Sequence, residues 1–88
     1  MGINMDNKKA IVILYLHKQN RRIDMELPLQ ITANELFHAV NEAFRLGEDE
    51  TQLMNCYLQA ENPIALLKGN RTLEEFGIRN ASIIHYTR

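Results

Sequence analysis

Apolar and charged side chains alternate strictly over residues 22–27. A period of two indicates a strand that has one face on a core and the other in water. The preceding residues 10–17 are rich in Ile, Val, Leu and Tyr, a composition typical of strands, and the polar residues 18–21 separate the two segments. The sequence therefore predicts a β-hairpin that ends at Pro28.

A single amphipathic helix is predicted after the hairpin. Thr32 and Glu35 have the spacing of a capping box, in which each side chain bonds the backbone N–H of the other residue. From Leu36 to about Leu46 the apolar residues follow one stripe of a helix. Gly47 is the residue expected to take the left-handed conformation that ends a helix.

Three further strands and a tight turn are predicted in the second half. The strands are residues 53–59, with Met54, Cys56 and Leu58 facing inward, residues 64–67 and residues 81–87. The turn is a second capping box at residues 72–75, which Gly77 stops after one helical turn. We place the first and last strands side by side in the centre, since they are the most apolar. This is a two-layer α+β domain, a β-grasp with a mixed sheet of four to five strands and one helix packed across one face.

Length and composition restrict the function. At 88 residues the chain is one small domain, and its net charge of −1 gives no basic excess for a nucleic acid. The single cysteine, Cys56, cannot form an internal disulfide, and no Cys/His set has zinc spacing. We expect Cys56 to pack in the core, and we expect no metal, cofactor or catalytic residue.

Residues 68–82 carry a resemblance to a known family. They resemble the closing segment of ubiquitin and its relatives, in which a Gly-containing turn leads to a Thr-Leu turn, an Ile plug and a final strand. With the hairpin and helix, the resemblance covers residues 9–87. Within the ubiquitin-like group the chain is most similar to the bacterial YukD/EsaB family, on the strength of Leu73, Gly77-Ile78 and Asn80.

The resemblance implies a non-catalytic, ubiquitin-like accessory protein of bacterial type VII secretion, the machinery that exports WXG100 proteins. Such a protein would be cytoplasmic, or peripheral to the membrane through the membrane components of the secretion complex, and a homodimer is left open. We expect residues 1–8 to be a flexible N-terminal segment and residues 9–88 to be one domain. A conjugated modifier or a sulfur carrier is disfavoured, because the sequence does not end in Gly-Gly.

The sheet face turned away from the helix is the predicted partner surface. If Val12 points to the helix, its neighbours in the same strand point outward. The predicted contact residues are Ile11, Ile13, Tyr15, Tyr57 and, from the last strand, Tyr86. Exposed apolar patches mark interfaces, and Tyr is enriched at binding hot spots.

Two other groups of side chains are candidate sites. A basic hairpin tip of Lys18, Arg21 and Arg22 offers the alternative of a ubiquitin-like module that binds a GTPase or serves as a scaffold. Three histidines, His17, His38 and His85, are expected to lie at the surface. His17 and His85 belong to the two strands placed side by side and can approach each other, and His38 is expected to pair with Glu42, one helical turn on.

Overall fold

The computed structural model describes residues 8–87, so residues 1–7 of the predicted N-terminal segment, together with Arg88, lie outside the described residues. Residues 8–87 contain five strands and one α-helix. They are β1 (Lys9–Leu16), β2 (Arg21–Pro28), α1 (Ala33–Phe44), β3 (Tyr57–Glu61), β4 (Ala65–Lys68) and β5 (Ile83–Tyr86). Short 3₁₀ turns occupy His17–Gln19 and Leu53–Asn55.

The sheet has the strand order β2-β1-β5-β3-β4. β1 and β5 run parallel at its centre, with Leu14 opposite Ile84, and the other neighbours are antiparallel. The hairpin, the central position of the first and last strands and the α+β class are all confirmed. β2 and β4 form the two edges of the sheet.

The core lies between α1 and one face of the sheet. Val12, Leu14 and Leu16 are buried beneath the helix, as are Leu58, Leu67 and Ile84 from the other strands. α1 contributes Leu36, Phe37 and Val40. The loop before β5 closes the core with Leu73 and Ile78, both buried.

Both capping boxes form. The Glu35 backbone N–H donates to Thr32 Oγ1 at 3.1 Å, and the Thr32 N–H donates to Glu35 Oε1 at 2.8 Å. The second box repeats this pattern, with the Glu75 N–H donating to Thr72 Oγ1 at 3.2 Å and the Thr72 N–H donating to Glu75 Oε1 at 2.9 Å. The turn stops at Gly77, whose φ of +84° favours glycine.

The predicted end of α1 is wrong by two residues. The helix ends at Phe44, and Arg45, not Gly47, is the first left-handed residue, with φ of +52°. The Asn41 side chain explains the early end, since its Oδ1 accepts from the Glu48 N–H at 3.0 Å. That bond draws the chain away from the helix axis before Gly47 is reached.

The starts of the three strands in the second half also differ from the prediction. β3 begins at Tyr57, because residues 53–55 form a 3₁₀ turn that leaves Met54 exposed. β4 begins one residue later than predicted, at Ala65. β5 begins at Ile83, because Ala81 is left-handed (φ +73°) and its N–H bonds the Ile11 carbonyl at 2.9 Å.

Candidate interaction surface

The side of the sheet opposite α1 carries a continuous set of side chains, which we call the open face. Strand alternation and register decide its members, because residues directly opposite one another in neighbouring strands point to the same side. Across the sheet from edge to edge they are Arg22, Asp24 and Glu26; Ile11, Ile13 and Tyr15; Ile83 and His85; Tyr57, Gln59 and Glu61; and Leu66 and Lys68.

The middle of the open face is apolar and the β2 side of it is charged. Ile11 is 57 % exposed and Leu66 51 %, while Ile13, Tyr15, Tyr57 and Ile83 are half-buried. Ile64, just before β4, is 90 % exposed. Within residues 8–87 the only α-helix lies on the opposite side, so none covers this face.

Tyr86 is the one predicted contact residue that the structure removes from this surface. It is only 5 % exposed, and its hydroxyl donates to the Glu48 carboxylate on the helix side. The parallel register with β1 places Tyr86 opposite buried Leu16 and His85 opposite Tyr15. The outward residues of β5 are therefore Ile83 and His85.

A row of polar groups crosses the open face at one end. His17 Nε2 lies 2.7 Å from His85 Nδ1, and His85 Nε2 lies 2.6 Å from Glu61 Oε1. The His17 ring stacks on Tyr15 with ring centroids 3.8 Å apart. The approach of the two histidines is confirmed, and of their two facing nitrogens one donates the hydrogen bond and the other accepts it.

A shallow depression of about 540 Å³ lies beside this row. Its lining combines the histidine row with the exposed apolar residues near β4, namely His17, Gln59, Glu61, Ile64, Leu66 and His85. Such a lining suits an apolar side chain that carries one hydrogen-bonding group.

The basic hairpin tip does not form one patch. Arg22 lies on the open face, where its guanidinium is 4.7 Å from the Tyr15 ring centroid. Arg21 faces the helix side and lies 6.0 Å from the Phe44 ring centroid. Lys18 is exposed in the 3₁₀ turn that joins β1 to β2. Arg22 is therefore part of the open face, and the other two residues are separate from it.

A second polar cluster lies at the C-terminal part of α1. His38 Nδ1 is 2.7 Å from Glu50 Oε1, and Asn41 Nδ2 donates to Glu50 Oε2 at 2.6 Å. The hydrogen bond that His38 donates to Glu50 raises the pKa of His38, and the bonds that Glu50 accepts from Asn41 and His38 lower the pKa of Glu50. The predicted partner of His38, Glu42, acts on it only as a nearby charge.

This cluster is also the set of described residues best placed to hold a metal ion. The ligand atoms of His38, Glu42 and Glu50 lie within 4.8 Å of one another. The hydrogen bond between His38 and Glu50 already accounts for their arrangement, and a metal ion at His38 Nδ1 would have to displace the proton that joins them.

Cys56 lies in the core, as predicted. Its Sγ is 3.5 Å from the Gln52 carbonyl oxygen, which accepts its weak hydrogen bond. A thiol in this position behaves as a small apolar side chain.

Comparison with protein families identifies the chain. The family described as "WXG100 protein secretion system (Wss), protein YukD" matches residues 11–85. The chain belongs to the YukD family. The predicted resemblance to ubiquitin-like YukD proteins is thereby confirmed, and a YukD protein is an accessory component of the type VII, or WXG100, secretion system.

Two solved structures show the same fold at low sequence identity. The C-terminal ubiquitin-like domain of mouse tubulin-specific chaperone e has a TM-score of 0.69 and 13 % identity, over 90 % of this chain and 84 % of that one. A de novo designed protein based on ubiquitin has a TM-score of 0.60 and 18 % identity, over 88 % and 84 %. No curated protein matches the chain in sequence.

None of the helices within residues 8–87 is long and apolar enough to cross a membrane.

Proposed function

We propose that this YukD protein is a non-catalytic subunit that binds another protein of the secretion system through the open face. The apolar centre of that face, uncovered in the described chain, is the observation that carries the proposal. The binding partner is a membrane component of the secretion complex, and the protein acts on its cytoplasmic side. Membership of the YukD family supports this location.

The composition of the open face is that of a binding surface. Ile11, Ile13 and Tyr15 form an apolar row along one central strand, and Ile83 extends it to the next. Burying such a row against a partner releases about 25 cal/mol for each Å² of apolar surface. The charged side chains of β2 flank the row on one side and would orient the partner.

A binding role also fits the reactive groups. The only thiol, Cys56, is buried in the core. The two histidines on the open face are occupied with each other and with Glu61. We therefore assign these side chains to packing and to the shape and charge of the surface.

The test compares two arginine substitutions of equal charge on opposite sides of the domain. Ile13→Arg introduces a charge into the centre of the open face, and Ala39→Arg introduces the same charge on the exposed side of α1. We expect Ile13→Arg to abolish cross-linking of the tagged protein to secretion membrane components in its native cells, and Ala39→Arg to leave it intact. Both proteins should melt within a few degrees of the wild type.

Other outcomes would contradict the proposal. Loss of cross-linking in Lys18→Glu, with Ile13→Arg unaffected, would assign binding to the hairpin tip and favour the GTPase-binding or scaffold alternative. Recovery of the protein joined by an isopeptide bond at its C-terminus would make it a modifier. Because Ile13 is half-buried, the exposed Ile11→Arg serves as a second variant if the first unfolds.

A further inference from the structure

The two edges of the sheet differ in how they are protected from pairing with another strand. β2 carries four charged residues, Arg21, Arg22, Asp24 and Glu26, and ends in Pro28. Charges and proline on an edge strand discourage further pairing. β4 has the sequence Ala-Leu-Leu-Lys, preceded by Ile64, so its only charge is at its last position. The β4 edge therefore lacks the protection that the β2 edge has.

Two strongly exposed apolar side chains also lie near the β4 edge, Ile64 at 90 % and Leu66 at 51 %. Leu66 points to the open face. Ile64 lies just before β4 and two residues before Leu66, so it continues the same alternation of exposed and buried side chains. Both adjoin the 540 Å³ depression. A strand added to this edge would cover these side chains while its backbone paired with that of β4.

We propose that β4 pairs antiparallel with β4 of a second copy of this chain, with Leu66 opposite Leu66 of that copy. In an antiparallel pair, opposite residues point to the same face of the sheet. The two-fold axis that relates the two identical strands must therefore pass through a residue, because an axis between two residues would place side chains of opposite faces against each other. Centred on Leu66, it places Ala65 opposite Leu67 on the helix side. It also places Ile64 opposite Lys68 on the open face.

This register keeps like charges apart. The two Lys68 side chains lie at opposite ends of the paired strands, and the stem of each packs along Ile64 of the other copy. Leu66 meets an identical leucine at the two-fold axis, which is the isologous contact that a symmetric dimer requires. The product is a continuous sheet of two five-stranded halves.

The short strand predicts a weak dimer. β4 has four residues, so each copy contributes few backbone hydrogen bonds and little buried area. We expect association that is reversed by dilution. The apolar centre of the open face, on β1 and β5, stays accessible in such a dimer, so the pairing does not rest on the proposed function.

Sedimentation at increasing concentration tests the pairing. We expect the average mass to rise from 10.2 kDa toward twice that value, and Leu66→Lys to abolish the rise. Ile11→Lys is the matched control, because Ile11 is similarly exposed on the same face but lies in a central strand. A protein that stays monomeric throughout would overturn the proposal and leave this edge to an extended segment of another protein. Loss of association in Ile11→Lys alone would overturn it in favour of face-to-face pairing.

Cysteine substitution tests the register. Two opposite residues of an antiparallel pair are about 4.5–5.5 Å apart at Cα, within the range of a disulfide. Leu66→Cys should therefore form a disulfide-linked dimer on mild oxidation. In Lys68→Cys the two thiols would be separated by four residues, about 13 Å along the strands, and should not join. Equal cross-linking of both variants would refute this register.

Discussion

Replacing two neighbouring isoleucines of β5, one at a time, tests which face of the sheet is open. Ile84 is fully buried beneath α1, and Ile83 is half-buried on the open face. Ile84→Ala leaves a cavity in the core and should cost about 3 kcal/mol, within the range for a buried aliphatic side chain. Ile83→Ala removes the same atoms from a half-solvated site and should cost about 1 kcal/mol.

These free energies convert into melting temperatures through the entropy of unfolding. At about 2.1 cal/mol/K per residue, the 88 residues give about 0.18 kcal/mol/K. Ile84→Ala should then lower the melting temperature by about 16 °C, and Ile83→Ala by about 5 °C. Urea titrations followed by circular dichroism should show the same order of midpoints with unchanged m-values.

The comparison refutes the assignment of the open face if the order is reversed. A larger loss in Ile83→Ala would mean that β5 has the opposite phase and that Tyr86 points outward after all. Equal losses would mean that both faces of the sheet are covered in the isolated protein. Because the two residues are adjacent and identical, strand propensity contributes equally to both variants.

Two further predictions concern polar contacts on the helix side. The raised pKa of His38 contributes stability that is complete below the ordinary value of 6.5 and lost as the pH rises through the raised value. The lowered pKa of Glu50, held first by Asn41, contributes stability that is present above 4.5 and lost as the pH falls through the lowered value. Melting temperatures measured against pH should therefore show both contributions between pH 4.5 and 6.5. His38→Gln should remove the loss of stability on the alkaline side. An unchanged pH profile in this variant would contradict the pairing of His38 with Glu50. Tyr86→Phe removes the hydrogen bond to Glu48 and should cost about 1 kcal/mol in urea titrations without altering partner capture, and a loss of capture at full stability would return Tyr86 to the binding surface.

Local sequence patterns predicted the hairpin and the helix well because their causes are local. The alternation over residues 22–27 and the capping box at Thr32 depend on neighbours a few positions away, and both are as predicted. The end of α1 depends on a longer-range bond. Asn41 reaches the Glu48 backbone seven residues on, and no pattern around Gly47 reveals it.

The outward residues of a strand could be predicted from the sequence only in two cases. Either one of its two alternating sets of side chains is clearly more apolar, or the neighbouring residues decide which set is buried. In β1 the burial of Val12 fixes Ile11 and Ile13 as outward residues, as predicted from the sequence. In β5 each phase contains one isoleucine and one aromatic ring, so the sequence does not decide between His85 and Tyr86. The parallel register with β1 makes that choice, and a register that pairs residues 70 positions apart, such as Leu14 and Ile84, is a property of the whole fold.

The residues near β4 were missed for the same reason. Residues 64–67 are apolar in both phases, so nothing in the segment distinguishes Leu66 from Leu67. Pairing with β3 decides the phase, since Leu67 lies opposite buried Leu58 and Leu66 opposite exposed Gln59. The meeting of His17 and His85 likewise required the parallel pair at the centre of the sheet.

The composition of the central strands argues that the open face is covered when the protein acts. Strands that are buried on both faces have continuous apolar sequences, whereas strands with one wet face alternate. β2 alternates, but residues 10–16 in β1 are apolar without interruption. α1 covers only one of the two faces that this strand presents. The second apolar phase of β1 is not covered by a helix of the described chain, and its placement at the centre of the sheet is explained if another protein supplies the missing layer.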